Sequence, residues 1–159
     1  MGLFSKKKQQ IIVAAQSGTV VNLTEVTDPV FAQKILGDGI AIIPDSNEVL
    51  SPCDGTVVQI ADTRHAVGIE SDDGLEVLVH LGIDTVKLVG EGFTCFVKVG
   101  QHVKVGDKLM EMDLELIKSK NLNLISPCII TNMDDVENLK LFTGTAIAGE
   151  TTVMSYQKS

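Results

Sequence analysis

The sequence predicts an all-β protein: a compact antiparallel β-sandwich or barrel-like domain with little helix. Three observations carry that expectation. Short apolar runs alternate with turn clusters along almost the whole chain, as in sandwiches and barrels. Fourteen glycines punctuate those runs, in clusters such as Gly37-Asp-Gly39, Ser51-Pro-Cys-Asp-Gly55 and Gly90-Glu-Gly92. The length, 159 residues, suits one domain that buries about 70% of the surface of its unfolded chain.

Taken in order, residues 1–10 read as a flexible tail and 11–159 as a single domain with no linker. Strands are expected at 11–14, 19–23, 40–43, 56–60, 67–69, 76–81, 94–97, 109–112, 129–130 and 145–148. Each is a short apolar run bounded by turn residues. Short helical pieces are expected at 28–36, 114–120 and 134–141. Val49-Leu-Ser-Pro-Cys53 and Leu124-Ile-Ser-Pro-Cys128 echo each other, which suggests an internal duplication and places Cys53 near Cys128.

Charge and composition exclude several classes. A net charge of −8 leaves no basic footprint for nucleic acid. Apolar residues make up 44% of the chain, but no run approaches the roughly 18 residues of a membrane span. No signal-peptide pattern is present, so a cytoplasmic protein is expected. Three cysteines without metal-type spacing read as free thiols. Leu3, Phe4 and Lys6-Lys-Lys8 could give at most a weak membrane contact; Lys6 stands where a myristoylation motif needs Ser or Thr.

The richest chemistry lies around His80. Leu75, Val77, Val79 and Leu81 alternate with Glu76, Leu78 and His80, the period of a half-buried strand. Residues 66–70 read as the preceding strand. If Ser71-Asp-Asp-Gly74 is the loop, His65 lies directly opposite His80, with Cβ atoms about 4.5–5.5 Å apart. A loop of only Asp73-Gly74 pairs Val67 with His80 and leaves His65 diagonal on the same face. Either way two of the three histidines meet.

Such a pair could be two satisfied surface histidines, a metal site or a nucleophilic centre. His65, His80 and Asp84 could supply three metal ligands, yet a closed zinc site normally needs four. No metal is required by this pattern, although His65 and His80 could take up zinc opportunistically. The nucleophile reading needs an imidazole with one nitrogen free and the other held by an acceptor. Gly82 lets the backbone approach closely. Asp84 could orient a ring or repel a bound anion. Thr63, two residues before His65, could fix its tautomer.

Val79-His-Leu-Gly-Ile-Asp-Thr-Val86, Gly90-Glu-Gly-Phe93, the segment Gly100 to Asp107, the segment Asp28 to Ile42 and Ser126-Pro-Cys-Ile-Ile-Thr-Asn-Met-Asp134 resemble the glucose-type enzyme IIA of the bacterial sugar phosphotransferase system. The resemblance covers nearly the whole chain after about residue 12. It implies the antiparallel sandwich, and a phosphocarrier whose His80 Nε2 accepts a phosphoryl group from the histidine phosphocarrier protein. The group would then pass to the IIB domain of a glucose-class sugar permease. His65 would stabilise the group, Thr63 would hydrogen-bond His65, and the Gly82 carbonyl would take the Nδ1 proton of His80. Asp28 and Asp84 would flank the site. Val30, Phe31, Ile35, Leu36, Leu78 and Val86 would form an apolar rim for partners, including regulated transporters or kinases. No cofactor is implied beyond the carried phosphoryl group. The rim is less aromatic than in relatives, with Pro29, Ala61 and Leu78 as departures.

Two rivals remain at this point. A zinc peptidase of the lysostaphin type shares the His-x-x-x-Asp spacing, but this chain lacks His-x-His. A lipoyl or biotinyl carrier resembles Val103-Lys-Val-Gly-Asp-Lys-Leu-Met-Glu-Met112, but has its modified lysine where this chain has Glu111.

Overall fold

A computed structural model describes residues 8–159. The membrane-contact residues Leu3, Phe4, Lys6 and Lys7 lie outside the described residues, as does most of the expected tail. Gln9 and Gln10 differ from expectation, since they already pair with the C-terminal strand.

The elements run β1 (Gln9–Val13), β2 (Gly18–Asn22), α1 (Pro29–Ala32), β3 (Asp38–Pro44), β4 (Glu48–Leu50), β5 (Gly55–Ile60), β6 (Ala66–Ser71), β7 (Glu76–His80), β8 (Phe93–Cys95), β9 (His102–Val103), β10 (Lys108–Met112), α2 (Leu114–Ser119), β11 (Ser126–Ile130), β12 (Val136–Leu141), β13 (Gly144–Ala146) and β14 (Thr152–Lys158). The strand pairings are antiparallel. An eight-stranded sheet runs β13-β2-β3-β11-β7-β6-β5-β9, and two three-stranded sheets run β1-β14-β12 and β4-β10-β8. The antiparallel all-β expectation holds.

Central strands β3 and β11 pack on both faces, and β7 buries one face and half-buries the other, for a reason visible in their side chains. Ile40, Ile42, Val77, Val79, Cys128 and Ile130 enter the main core. The alternate residues Ala41, Ile129 and Leu78 join a smaller cluster with Leu23, Val26, Phe31, Ile83 and Ile125. Fully burying a side chain such as Ile40 or Ile129 stabilises by roughly 1.5–3 kcal/mol. The smaller cluster lies on the Leu78 face of β7, which is also the His80 face.

Three expectations change. Residues 134–141 are not helical: a 3-10 turn, Met133–Asp135, leads into β12. Strands β4, β9 and β14 were not expected. The helical piece at 28–36 shrinks to α1, which Asp28 starts by accepting the Val30 N–H at 2.9 Å, with Pro29 at its first position. Helix α2 starts in the same way, with Asp113 accepting from Leu116 N–H at 3.1 Å.

The β6–β7 hairpin also departs from both expected registers. Ala66 pairs with His80 and Glu70 with Glu76. Ser71 N–H donates to the Leu75 carbonyl at 2.8 Å and Ser71 Oγ accepts the Leu75 N–H at 2.8 Å. Leu75 is thus drawn into the turn, and the register falls one residue between the two expectations. His65 precedes β6 rather than lying within it.

The paired motif places Cys53 and Cys128 together in the main core. Burial foremost, then the acidic neighbours Asp73, Asp54 and Asp72, pushes the Cys53 thiol up to about 12. Burial, then the neighbouring Cys53, raises Cys128 to about 12. Both are packed core thiols, not nucleophiles. Glu111 sits mid-strand in β10, paired with both Glu48 and Thr94, so it occupies no hairpin tip where a carrier lysine would stand.

Candidate functional site

Three short segments bring the site together: the β5–β6 turn, the end of β7 with the loop after it, and α1. In the β5–β6 turn the Arg64 N–H donates to the Ala61 carbonyl at 2.7 Å, and Arg64 takes a left-handed φ of 58°. The chain thereby leaves the pleat before β6. With Ala66 opposite His80, a regular strand would send His65 to the other face. The turn instead returns its ring to His80. The two rings stand edge to face, centroids 5.2 Å apart. The Leu81 N–H donates to the His65 carbonyl at 2.7 Å, so the backbone locks the two segments together as well.

Each ring has a fixed partner. Thr63 Oγ1 lies 2.6 Å from His65 Nδ1. His80 Nδ1 lies 2.7 Å from the Gly82 carbonyl oxygen. A carbonyl only accepts, so His80 carries its proton on Nδ1 and leaves a lone pair on Nε2. Gly82 adopts φ +75°, and a Cβ there would sit 2.6 Å from Thr85 Cγ2 and 3.0 Å from the Asn123 carbonyl. Only glycine fits that loop.

Phe31 packs against His80 with centroids 5.0 Å apart at a 55° tilt. This differs from its expected place on the exposed rim: Phe31 is 4% exposed and belongs to the smaller core cluster. Leu78 and Val30 are half-buried, while Ile35, Leu36 and Val86 are exposed. Ile35 and Leu36 open onto a recess shared with Asn132 and Met133.

Two buried polar side chains escaped the sequence reading. Thr85 Oγ1 donates to the Leu81 carbonyl at 2.6 Å, and Ser126 Oγ accepts the Gly82 N–H at 3.1 Å. Nothing in their spacing announces either contact, because both depend on how the loop after β7 folds back.

The electrostatics favour neutral rings. Burial lowers the His80 pKa, the Gly82 carbonyl raises it, His65 lowers it, and Asp28 and Asp84 raise it. The net direction is below 6.5. Burial also lowers His65. A neutral imidazole with a bare Nε2 is a nucleophile able to carry a transferable group. Asp28 and Asp84 act on it at longer range, the latter from an exposed left-handed position with φ 61°.

Among the described residues no group of three or more His, Cys, Asp or Glu side chains is arranged to hold a metal ion, and no helix is long and apolar enough to cross a membrane.

Residues 10–136 match the family model described as phosphoenolpyruvate-dependent sugar phosphotransferase system, EIIA 1. A "PTS system glucose-specific EIIA component" of Bacillus anthracis is 50% identical over 154 residues, 96% of this chain and 93% of that protein. One from Haemophilus influenzae is 43% identical over 166 residues, covering 99% of this chain and 100% of its own. The solved structure of "glucose permease IIA from Mycoplasma capricolum" superposes with a TM-score of 0.88 at 39% identity, covering 98% of this chain and 99% of that one. None of these comparisons supports the zinc-peptidase alternative. The chain belongs to the EIIA 1 family of the phosphoenolpyruvate-dependent sugar phosphotransferase system, whose members are phosphotransferase components that pass a phosphoryl group through a histidine.

Proposed function

We propose that His80 is the phosphocarrier residue, accepting the phosphoryl group of the histidine phosphocarrier protein on Nε2. It then passes the group to the IIB domain of a glucose-class sugar permease, in the cytoplasm. The observation that carries this reading is the hydrogen bond from His80 Nδ1 to the Gly82 carbonyl at 2.7 Å, which leaves Nε2 bare for attack. The glucose class follows the names of the relatives.

In the first step the Nε2 lone pair forms a bond to phosphorus. The phosphorus–nitrogen bond of the donor phosphohistidine breaks, and its electron pair stays on the donor imidazole. In the second step a cysteine thiolate of the IIB domain attacks the same phosphorus, and the pair of the breaking bond returns to His80 Nε2. Such in-line transfer depends on positioning and charge stabilisation.

His65 supplies the stabilisation. With the Thr63 hydroxyl donating to His65 Nδ1, the His65 proton sits on Nε2 and can face a phosphoryl oxygen. Asp28 and Asp84 repel the carried dianion and keep it labile. Val30, Ile35, Leu36, Leu78 and Val86 form the rim on which partners dock, and Phe31 supports the ring from beneath. The same rim serves regulated transporters or kinases when His80 is unmodified. No metal or cofactor is required; zinc on His65 and His80 would be opportunistic.

The test is a reconstituted mixture of phosphoenolpyruvate, enzyme I, the phosphocarrier protein and this chain, read by native mass. Wild type should gain one acid-labile phosphoryl group, and His80→Ala none. His65→Ala should keep the group but lose onward transfer to the IIB domain. An unlabelled wild type in the presence of an active donor would reject the proposal.

A further inference from the structure

We propose that Ser126 is a positioning residue for phosphoryl transfer: its buried hydroxyl holds the Gly82 N–H, and the Gly82 carbonyl, in the next peptide unit, holds His80 in its reactive tautomer. The proposal rests on the reading of His80 as the phosphocarrier residue.

Ser126 opens β11 and is 1% exposed. Its neighbours in the strand, Pro127, Cys128, Ile129 and Ile130, are buried too. The Met112 thioether stands 4.0 Å from the hydroxyl. An apolar residue of similar size would suit such surroundings, and burying a hydroxyl there costs free energy unless it is bonded. The hydroxyl is bonded twice. It donates to the Leu124 carbonyl at 2.9 Å. That bond directs its lone pairs to accept the Gly82 N–H at 3.1 Å.

The consequence reaches His80 through a single residue. The N–H of Gly82 is held by Ser126, and the C=O of Gly82 accepts the His80 Nδ1 proton at 2.7 Å. Without the hydroxyl, a buried N–H loses its acceptor, which is costly to leave unmade. The Gly82 carbonyl lies in the next peptide unit, whose Ile83 N–H donates to the Asn123 carbonyl at 3.0 Å. Gly82 has no side chain to restrain its dihedrals, so loss of the Ser126 anchor leaves that one bond to hold the carbonyl, and the carbonyl shifts. A neutral imidazole left to itself favours the proton on Nε2, the nitrogen that must be bare to attack phosphorus. The carbonyl therefore holds the ring in the less favoured tautomer as well as in one orientation.

The repeated Ser-Pro-Cys motif supplies an internal control. Ser51 is equally buried, at 0% exposure, and its hydroxyl donates to the Cys53 carbonyl at 2.7 Å. That bond touches no group of the site. Both serines stabilise the fold, but only Ser126 is wired to His80.

The experiment compares wild type with Ser126→Ala, Ser126→Cys, Ser126→Thr and Ser51→Ala. Histidine-labelled protein reports the His80 tautomer by long-range proton–nitrogen NMR, and quench-flow gives the rate of phosphoryl acceptance against donor concentration. Ser126→Ala should show a mixed tautomer and a saturating rate lower by about tenfold, with half-saturation by the donor unchanged. Ser51→Ala should lose stability but keep the wild-type tautomer and rate. Ser126→Thr, which retains the hydroxyl, should recover most of the rate. Should Ser126→Ala fail to fold, Ser126→Cys, of similar size but with a weak sulfur acceptor, should show the same tautomer shift. A pure Nδ1–H tautomer and a wild-type rate in Ser126→Ala, or in Ser126→Cys where Ser126→Ala is unfolded, would overturn the proposal. If wild type accepts no phosphoryl group at all, the carrier reading fails, and the tautomer spectra alone still decide the role of Ser126.

Discussion

Phe31 packs against His80, ring centroid to ring centroid 5.0 Å, so a side chain of the smaller core cluster touches the ring proposed to carry the phosphoryl group. It is 4% exposed and anchors the smaller core cluster. Phe31→Ala should destabilise the protein by about 3 kcal/mol, the cost of a large core truncation. It should also slow phosphoryl acceptance, because the ring loses its support. Urea midpoints and quench-flow rates check the two effects. A stable variant with normal transfer would show that Phe31 is neither core nor support.

The two site histidines make stability depend on pH with a definite sign. Burial holds both below the ordinary 6.5 in the folded state. Between that value and their folded values the unfolded chain binds more protons, so stability rises with pH. Their contribution is intact above 6.5 and is lost as pH falls below it. Urea midpoints should be flat above about pH 7 and decline below 6.5. A His65→Gln, His80→Gln double variant should flatten the decline; an unchanged slope would assign it to other groups.

Asp28 does two separable things. It caps α1 through the Val30 N–H at 2.9 Å, and its charge, like that of Asp84, raises the His80 pKa. Asp28→Ala should cost about 1 kcal/mol for the lost cap. Asp28→Asn should keep the cap yet lower the His80 pKa, as should Asp84→Asn. NMR titration of His80 reads the shift, and a rise in either variant would contradict the assigned direction.

Val89 holds a left-handed backbone conformation that costs free energy for a β-branched residue. It holds φ 51° with a β-branched side chain that is 79% exposed, an outlier for that residue type. Val89→Gly should stabilise by about 1 kcal/mol through relief of the left-handed conformation. Thermal and urea denaturation would register the gain. A loss of stability would mean that the side chain makes contacts worth more than its strain.

Much of this was legible beforehand because side-chain period and turn chemistry are local. The alternation of Val77 and Val79 against Glu76, Leu78 and His80 is the observed pattern of β7. The meeting of His65 with His80 was also legible, but for a different geometric reason. The expected pleat would have set them directly opposite or diagonal on one face, whereas Ser71 takes Leu75 into the turn, shifts the register between those two, and leaves the Arg64 turn to return His65. The error at 134–141 has an equally local cause. Val136 and Leu139 are half-buried three residues apart, a helical spacing. In β12 that spacing arises from a bulge between Glu137 and Lys140, with Asn138 at φ 53°. Strand β14 was missed because Val153, Met154, Ser155 and Tyr156 are buried in succession, with no alternation to read. The contacts of Ser126 and Thr85 depend on tertiary closure, which no local pattern encodes.

The order of the large sheet bears on how the chain behaves in a crowded solution. The site occupies β7, well inside the eight strands, while the outermost members are β13, three residues long, and β9, only two. Short borders offer few unpaired backbone groups to a foreign strand, the usual template for runaway association. Within this sheet, addition of a second copy edge to edge is thereby disfavoured, and the longer borders β1 and β12 belong to a separate three-stranded sheet.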